Sequence, residues 1–176
     1  PVVKYAFQPR TPGEVPEMVK KGFYIAETGR PGPVLIDVPK DVQQNESPME
    51  FPEEFKIQGY HPWYDPDMVA CEKAIEMLLN SEKPIILAGG GTIISSAFAE
   101  LQSIAETLMI PVVTTFKGKG AFPENHPLSL GPIGMHGHAE ANKMMAEADC
   151  VLAIGTRFSD RSVGTFEAFE KRLKII

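Results

Sequence analysis

The 176 residues hold only two cysteines, Cys71 and Cys150, too few for a disulfide framework. Each falls in a segment that reads as regular structure. Each is therefore expected to be a small buried hydrophobe rather than half a bridge or a metal ligand, which suits a reducing cytoplasm. No apolar run approaches the roughly 20 residues that span a bilayer, and no signal peptide opens the chain. Basic residues number 17 against 23 acidic, a net charge of −6, and no basic stripe appears. Nucleic acid is thus not an expected partner. A G-x-S-x-G elbow, a Walker loop and a complete G-x-G-x-x-G fingerprint are all missing. His136 and His138 stand two apart near a helix start with no third ligand at a recognised spacing, so no metal site is expected; they read as ligand-bonding or capping residues. No nucleophile–base pair is evident, and Asp37, inside an aliphatic segment, has no identifiable partner.

What is present is the pattern of an α/β protein. The apolar fraction is 43%, enough for one full core or two partial ones. Residues 1–13 read as loop, punctuated by Pro9, Pro12 and Gly13. Residues 14–27 read as a helix with Val15, Met18, Val19 and Gly22 on one face and Gly29 as its stop. A buried-type strand, Val34 to Val38, follows with no partner strand before it. Residues 40–64 make a long polar connection pinned by Phe51, Phe55, Tyr60, Trp63 and Tyr64, a length more usual between domains than within one.

From Asp65 onward strands and helices alternate. Asp65-Pro66 reads as a cap with proline at the first helical position, and Cys71, Ala74, Ile75 and Leu78 as the buried face of that helix. Pro84–Ala88 is a strand, Gly89-Gly90-Gly91-Thr92 the loop after it, and Ile94 to Leu108 one continuous helix. Ile110–Thr115 is a strand, 116–135 a long loop, and Ala141, Met144, Met145 and Ala148 the face of another helix. Strand 150–154, a short helical candidate at 164–171 and a strand start at Leu173–Ile176 complete the order. This order predicts a parallel sheet with right-handed crossovers. The chain begins at Pro1 without Met and stops as a strand begins, so both ends are expected to be truncated.

In such a sheet ligands sit beyond the carboxyl ends of the strands. Three groups fall there: the glycines 89–91; Lys117 and Lys119; and Arg157, Asp160 and Arg161 after Gly155-Thr156. Glycines let a backbone approach a phosphate, and guanidinium offers phosphates and carboxylates a planar fork of donors. The alternatives are a tight turn, solvated lysines and a surface salt-bridge cluster.

The segments Gly29 to Gln43, Gly134-Met135-His136-Gly137 with Ala141-Asn142, and Gly155 to Arg161 resemble the catalytic subunits of the acetolactate synthase family, thiamine-diphosphate enzymes. So do Ala121-Phe122-Pro123 and His126 to Gly131. The resemblance runs in register over essentially the whole chain. It implies an α/β fold with a Rossmann-like parallel sheet flanked by helices, preceded by the tail of another α/β domain. Residues 1–42 would be the end of a pyrimidine-binding domain, 43–64 an interdomain linker, and 65–176 a central FAD-binding domain. The implied parent condenses two pyruvates, or pyruvate with 2-ketobutyrate, using thiamine diphosphate and Mg²⁺ bound by regions outside this chain. The implied FAD does no net redox work.

By position, the resemblance assigns FAD contacts to Arg30, Gly89, Gly90, Gly91, Thr115, Phe116, Lys117, Ile133, Gly134, Met135, His136, Gly155, Thr156, Arg157 and Arg161. It assigns a substrate channel to Lys40, Met135, Asp160 and Arg161. Ser159 stands where many members have aspartate, and Lys117 and Lys119 where many have apolar residues. No catalytic residue is implied in this chain, which alone should be inactive. A homodimer or homotetramer of the parent, a 2-keto acid substrate, a regulatory small subunit and a cytoplasmic location are the implied partners and setting. Other thiamine enzymes (glyoxylate carboligase, sulfoacetaldehyde acetyltransferase, pyruvate oxidase) and a non-catalytic nucleotide-binding module are the alternative readings.

Overall fold

The computed structural model describes residues 2–48, 50–62, 65–158 and 173–176. They fall into two units, Pro1–Asp65 and Pro66–Ile176.

The first unit is built on a β-α-β turn. Strand β1 (Tyr5–Phe7) pairs in parallel with β2 (Val34–Ile36), Ala6 opposite Leu35. The N-terminal segment is thus not all loop, and the strand after the first helix does have a preceding partner. Three residues between Lys4 and Gln8 are too few to show a period of two. Nor is β2 fully buried, since Leu35 is 52% exposed. Helix α1 (Val15–Glu27) covers the pair with Gly22 and Ile25. Gly22 lets Ile36 lie against the helix backbone: a Cβ there would stand 3.1 Å from Ile36 Cδ1.

The C-terminal end of α1 is closed by Lys4. Its ammonium donates to the carbonyls of Ile25 and Thr28 and to Tyr60 Oη (2.9 Å), placing a cation at the negative helix end. Burial raises the Tyr60 phenol pKa, but the hydrogen bonds from Lys4 and Thr28 outweigh it and hold the group below its usual range. A short helix α2 (Lys40–Gln44) follows. The polar stretch beyond it packs on α1: Lys20 Nζ donates to the carbonyls of Pro52 and Glu53, and Phe55 and Tyr60 meet Tyr24 edge-on. Phe51 does not help pin it, being 69% exposed; Trp63 and Tyr64 lie outside the described residues. Asp37 has a partner after all, accepting from Gln8 Nε2 at 2.9 Å.

The second unit is a five-stranded parallel sheet. Its strands are β3 (Pro84–Ala88), β4 (Val112–Thr114), β5 (Ser129–Pro132), β6 (Cys150–Ile154) and β7 (Lys174–Ile175), in the order β5-β4-β3-β6-β7. β3 is central, and its alternation divides two cores. Ile86 and Ala88 face helices α3 (Met68–Leu79) and α5 (Phe98–Leu108) through Leu78, Leu101 and Ala105. Ile85 and Leu87 face α6 (Ala139–Glu147) through Ala141 and Met145.

Four expectations change here. Asp67, not Asp65, caps α3, its Oδ1 accepting from the Val69 and Ala70 N–H groups at 3.0 and 3.1 Å. α3 touches the core mainly through Leu78; Ile75 is 47% exposed and Cys71 is exposed, so only Cys150 is the buried thiol. The continuous helix from Ile94 is two helices, α4 (Gly90–Ile94) and α5, broken where Ser96 adopts φ 56°. The long loop 116–135 contains β5, an edge strand whose Gly131 and Pro132 and an irregular register opposite Val112 and Val113 erase its pattern. The candidate helix at 164–171 lies outside the described residues.

Candidate functional site

The strand order reverses direction between β3 and β6: the chain grows outward to β4 and β5 on one side, then to β6 and β7 on the other. The crevice at the carboxyl ends of these two strands is where open α/β sheets bind ligands. Gly89 to Gly91 leave β3 there, and Gly155 to Phe158 leave β6.

Here the glycines first serve the protein itself. Gly89 N–H donates to Ile154 O and Gly91 N–H to Gly155 O, both at 2.8 Å. A Cβ on Gly89 would stand 2.3 Å from Gly155 O, and one on Gly91 2.6 Å from Gly155 Cα. Gly155 has φ +60°, and a Cβ there would stand 2.5 Å from Thr92 N. Buried Thr92 donates from Oγ1 to Ile154 O at 3.3 Å. Gly118 presses as closely on Ala88 O, with a 2.2 Å approach for a Cβ. Two chain exits are thus welded backbone to backbone. Gly90 alone of the three turns toward a side chain: a Cβ there would stand 3.1 Å from Lys117 Cβ.

Over this floor stand exposed groups. Thr115 is buried, its Oγ1 accepting from Gly118 N–H at 3.1 Å, which closes a single helical turn over Phe116–Gly118. That turn leaves Phe116 83% exposed and Lys117 exposed. Arg157 is exposed beyond β6, with Thr156 half-buried before it. Among the described residues neither Lys117 nor Arg157 makes an ion pair, whereas Lys119 pairs with Glu124 at 3.3 Å. Two free cations beside a glycine floor suit a polyanion.

A third wall follows β5. Ile133 is 5% exposed and belongs to the core. Its N–H donates to Thr114 O at 2.9 Å, and so carries the chain past the end of β4. Gly134, at φ +107°, opens a tight turn closed by Gly137 N–H donating to Gly134 O at 3.0 Å. Met135, 87% exposed, and His136, also exposed, stand at its tip. Asn142 on α6 reaches back to the turn: its Oδ1 accepts from Gly134 N–H at 2.9 Å and its Nδ2 donates to Gly134 O at 3.0 Å. No role for Asn142 is legible from spacing; its signals in the sequence are an amide side chain early in a helix after a glycine-bounded turn and its place beside Gly134 to Gly137 in the family resemblance.

His138 precedes α6 and donates from Nδ1 to Leu130 O at 3.3 Å. Among the described residues no three His, Cys, Asp or Glu side chains gather as they would around a metal, and no helix is long and apolar enough to cross a membrane. Arg30 and Lys40 lie in the first unit, both exposed, after Gly29 and at the start of α2. Asp160 and Arg161 lie outside the described residues.

At the opposite, amino end of the sheet, Asp149 ties β6 to β3. Its carboxylate accepts from the N–H groups of Glu82 (2.8 Å) and Lys83 (2.9 Å). Burial pushes this carboxyl up, but those two donors and the Lys174 charge outweigh it and hold it below the usual range.

Residues 71–176 match the family described as thiamine pyrophosphate enzyme, central domain. The whole chain is 49% identical to the "Probable acetolactate synthase large subunit" of Methanocaldococcus jannaschii and covers 30% of it. It is 41% identical, again over its whole length, to the acetolactate synthase large subunit of Corynebacterium glutamicum, covering 28%. The chain therefore spans about 30% of the length of these curated relatives. Among solved structures, benzoylformate decarboxylase from Polynucleobacter necessarius superposes on 89% of the chain with a TM-score of 0.69 and 25% identity, the match covering 29% of that chain.

Proposed function

Because the chain belongs to the thiamine pyrophosphate enzymes, as the match of residues 71–176 to their central domain shows, we propose that it is part of an acetolactate synthase large subunit. The observation that carries this reading is the 49% identity, end to end, with a relative bearing that name. In the whole enzyme two pyruvates and one proton become 2-acetolactate and CO₂, or pyruvate joins 2-ketobutyrate. Thiamine diphosphate with Mg²⁺, held by other parts of the parent, supplies the electron sink for decarboxylation.

This chain's part is a flavin site, and its residues fit an FAD. For the diphosphate, Lys117 lies beside the backbone of Gly90 and Arg157 follows β6, and among the described residues neither makes an ion pair. The exposed Phe116 and Met135 offer apolar surface to ring systems that would otherwise face water. Thr115, Gly134, His136, Gly155 and Thr156 shape the walls. Ile133 serves from the core behind them, and Gly89 and Gly91 by holding the floor closed. Arg30 as an FAD contact, Arg161 beside the flavin, and Lys40, Met135, Asp160 and Arg161 along a 2-keto acid channel come to the proposal from the resemblance. So do a homodimer or homotetramer, a regulatory small subunit and a cytoplasmic setting.

The test is an assay of the longer polypeptide that contains this chain. Supplied with pyruvate, thiamine diphosphate and Mg²⁺, it is expected to form acetolactate, and to lose that activity when FAD is stripped and recover it when FAD returns. Absence of acetolactate with all four present contradicts the proposal.

A further inference from the structure

Resting on the flavin reading, we infer that Asn142 is a positioning residue for that site: it fixes the turn that presents Met135 and His136 to the cofactor. Gly134 to Gly137 project beyond the carboxyl edge of the sheet, and the two side chains at the tip are exposed, Met135 by 87%. Their direction is therefore set by the backbone beneath them. That backbone bends at Gly134, where φ is +107°, a conformation that costs a side-chain-bearing residue but leaves glycine free to swing. A glycine hinge needs an external hold to keep one geometry.

Asn142 supplies the hold. Its amide meets both polar groups of Gly134, accepting from the N–H at 2.9 Å and donating to the carbonyl at 3.0 Å. These are the only side-chain hydrogen bonds made to the turn among the described residues. An amide can do this because it carries a donor and an acceptor side by side; aspartate, leucine and lysine cannot. The anchor is firm, since α6 is fastened to the sheet by Ala141 and Met145, 0% and 2% exposed. From below, Gly137 locks the same turn: a Cβ there would stand 2.4 Å from Pro132 O, and His138 N–H donates to Pro132 O at 2.8 Å. Asn142 therefore sets the height and direction of the tip relative to Thr115 and Phe116. It touches neither cofactor nor substrate.

The experiment uses the longer polypeptide that contains this chain, its Asn142→Leu and Asn142→Asp variants, and Lys143→Ala as a control on the same helix. Two readouts are taken: amide hydrogen exchange at Gly134 without cofactor, and the dissociation constant for FAD from flavin fluorescence. Asn142→Leu is expected to free the Gly134 amide and to weaken FAD about tenfold, the worth of roughly one net hydrogen bond. Asn142→Asp keeps the acceptor, so Gly134 stays protected and the loss is about threefold, one bond of the two remaining. Lys143→Ala changes neither readout. A freed Gly134 amide with unchanged FAD affinity in Asn142→Leu overturns the positioning role while leaving the flavin site standing. If Asn142→Leu does not fold, wild-type FAD affinity in Asn142→Asp overturns it equally. No FAD binding by the unsubstituted polypeptide overturns the flavin reading and this inference together, a pattern distinct from a loss confined to Asn142 variants.

Discussion

Gly155 sits where a methyl group has no room and where the backbone turns the way side chains resist. Its φ of +60° and the 2.5 Å approach to Thr92 N act together. Gly155→Ala is expected to cost about 3 kcal/mol, from overpacking against backbone plus the left-handed conformation. Gly120→Ala is the comparison: φ is +90° but nothing lies within 4 Å, so the cost should stay near 1 kcal/mol. Urea denaturation of both separates crowding from conformation; equal losses would show that the welded glycine floor does not exist. At Asp149 the prediction is one of pH. A carboxyl held below its ordinary range stabilises the fold above its unfolded pKa, and that contribution drains away as pH falls through the folded value. Melting temperatures of the wild type should therefore fall faster below about pH 4 than those of Asp149→Asn. Asp149→Asn should itself lose about 1–3 kcal/mol at pH 7, because an amide offers only one acceptor to two N–H groups. Parallel acid slopes would contradict this. Single residues were also where the sequence was least legible. Cys71 and Ile75 share the helical spacing of Leu78, yet only Leu78 is buried, because α3 meets the sheet near its C-terminal end. That Gly89 and Gly91 pack against Gly155 depends on a partner more than 60 residues away, which no local pattern carries.

Among elements, the strands and helices with long apolar patterns were plain from spacing: α1, β3, β6 and α6 fall where the periodicities put them. The elements that escaped are short or interrupted. β1 has three residues, and β5 ends in glycine and proline, so neither alternates long enough to be read. The break between α4 and α5 escaped for a different reason. Ile94, Ala97, Phe98 and Leu101 keep helical spacing straight through it, while Ser96 carries φ 56°. Ser96→Gly discriminates the two readings. In a continuous helix glycine would cost about 1 kcal/mol; at a left-handed residue it should instead stabilise by about 0.5–1 kcal/mol. A shift of the urea midpoint upward, with the slope unchanged, is the expected result.

At the scale of the whole chain, the rule that ligands gather at the carboxyl ends of parallel strands puts Gly89 to Gly91, Lys117 and Arg157 on one edge of the sheet from the sequence alone, while Met135 comes to it from the family resemblance. The sheet order β5-β4-β3-β6-β7 places its reversal between β3, which leads to Gly89 to Gly91, and β6, which leads to Arg157. The fold by itself does not say what the edge is for, since α/β folds host many chemistries, and a flavin site there is the proposal to be tested. The measurement that tests this most directly is equilibrium binding of FAD to the longer polypeptide that contains this chain, with Lys117→Ala and Arg157→Ala singly and together. The account predicts one FAD per chain, affinity that falls with salt as expected of a polyanion on two cations, and a loss of about tenfold for each substitution. FAD bound with undiminished affinity by the double variant, or not bound by the unsubstituted polypeptide, would contradict it.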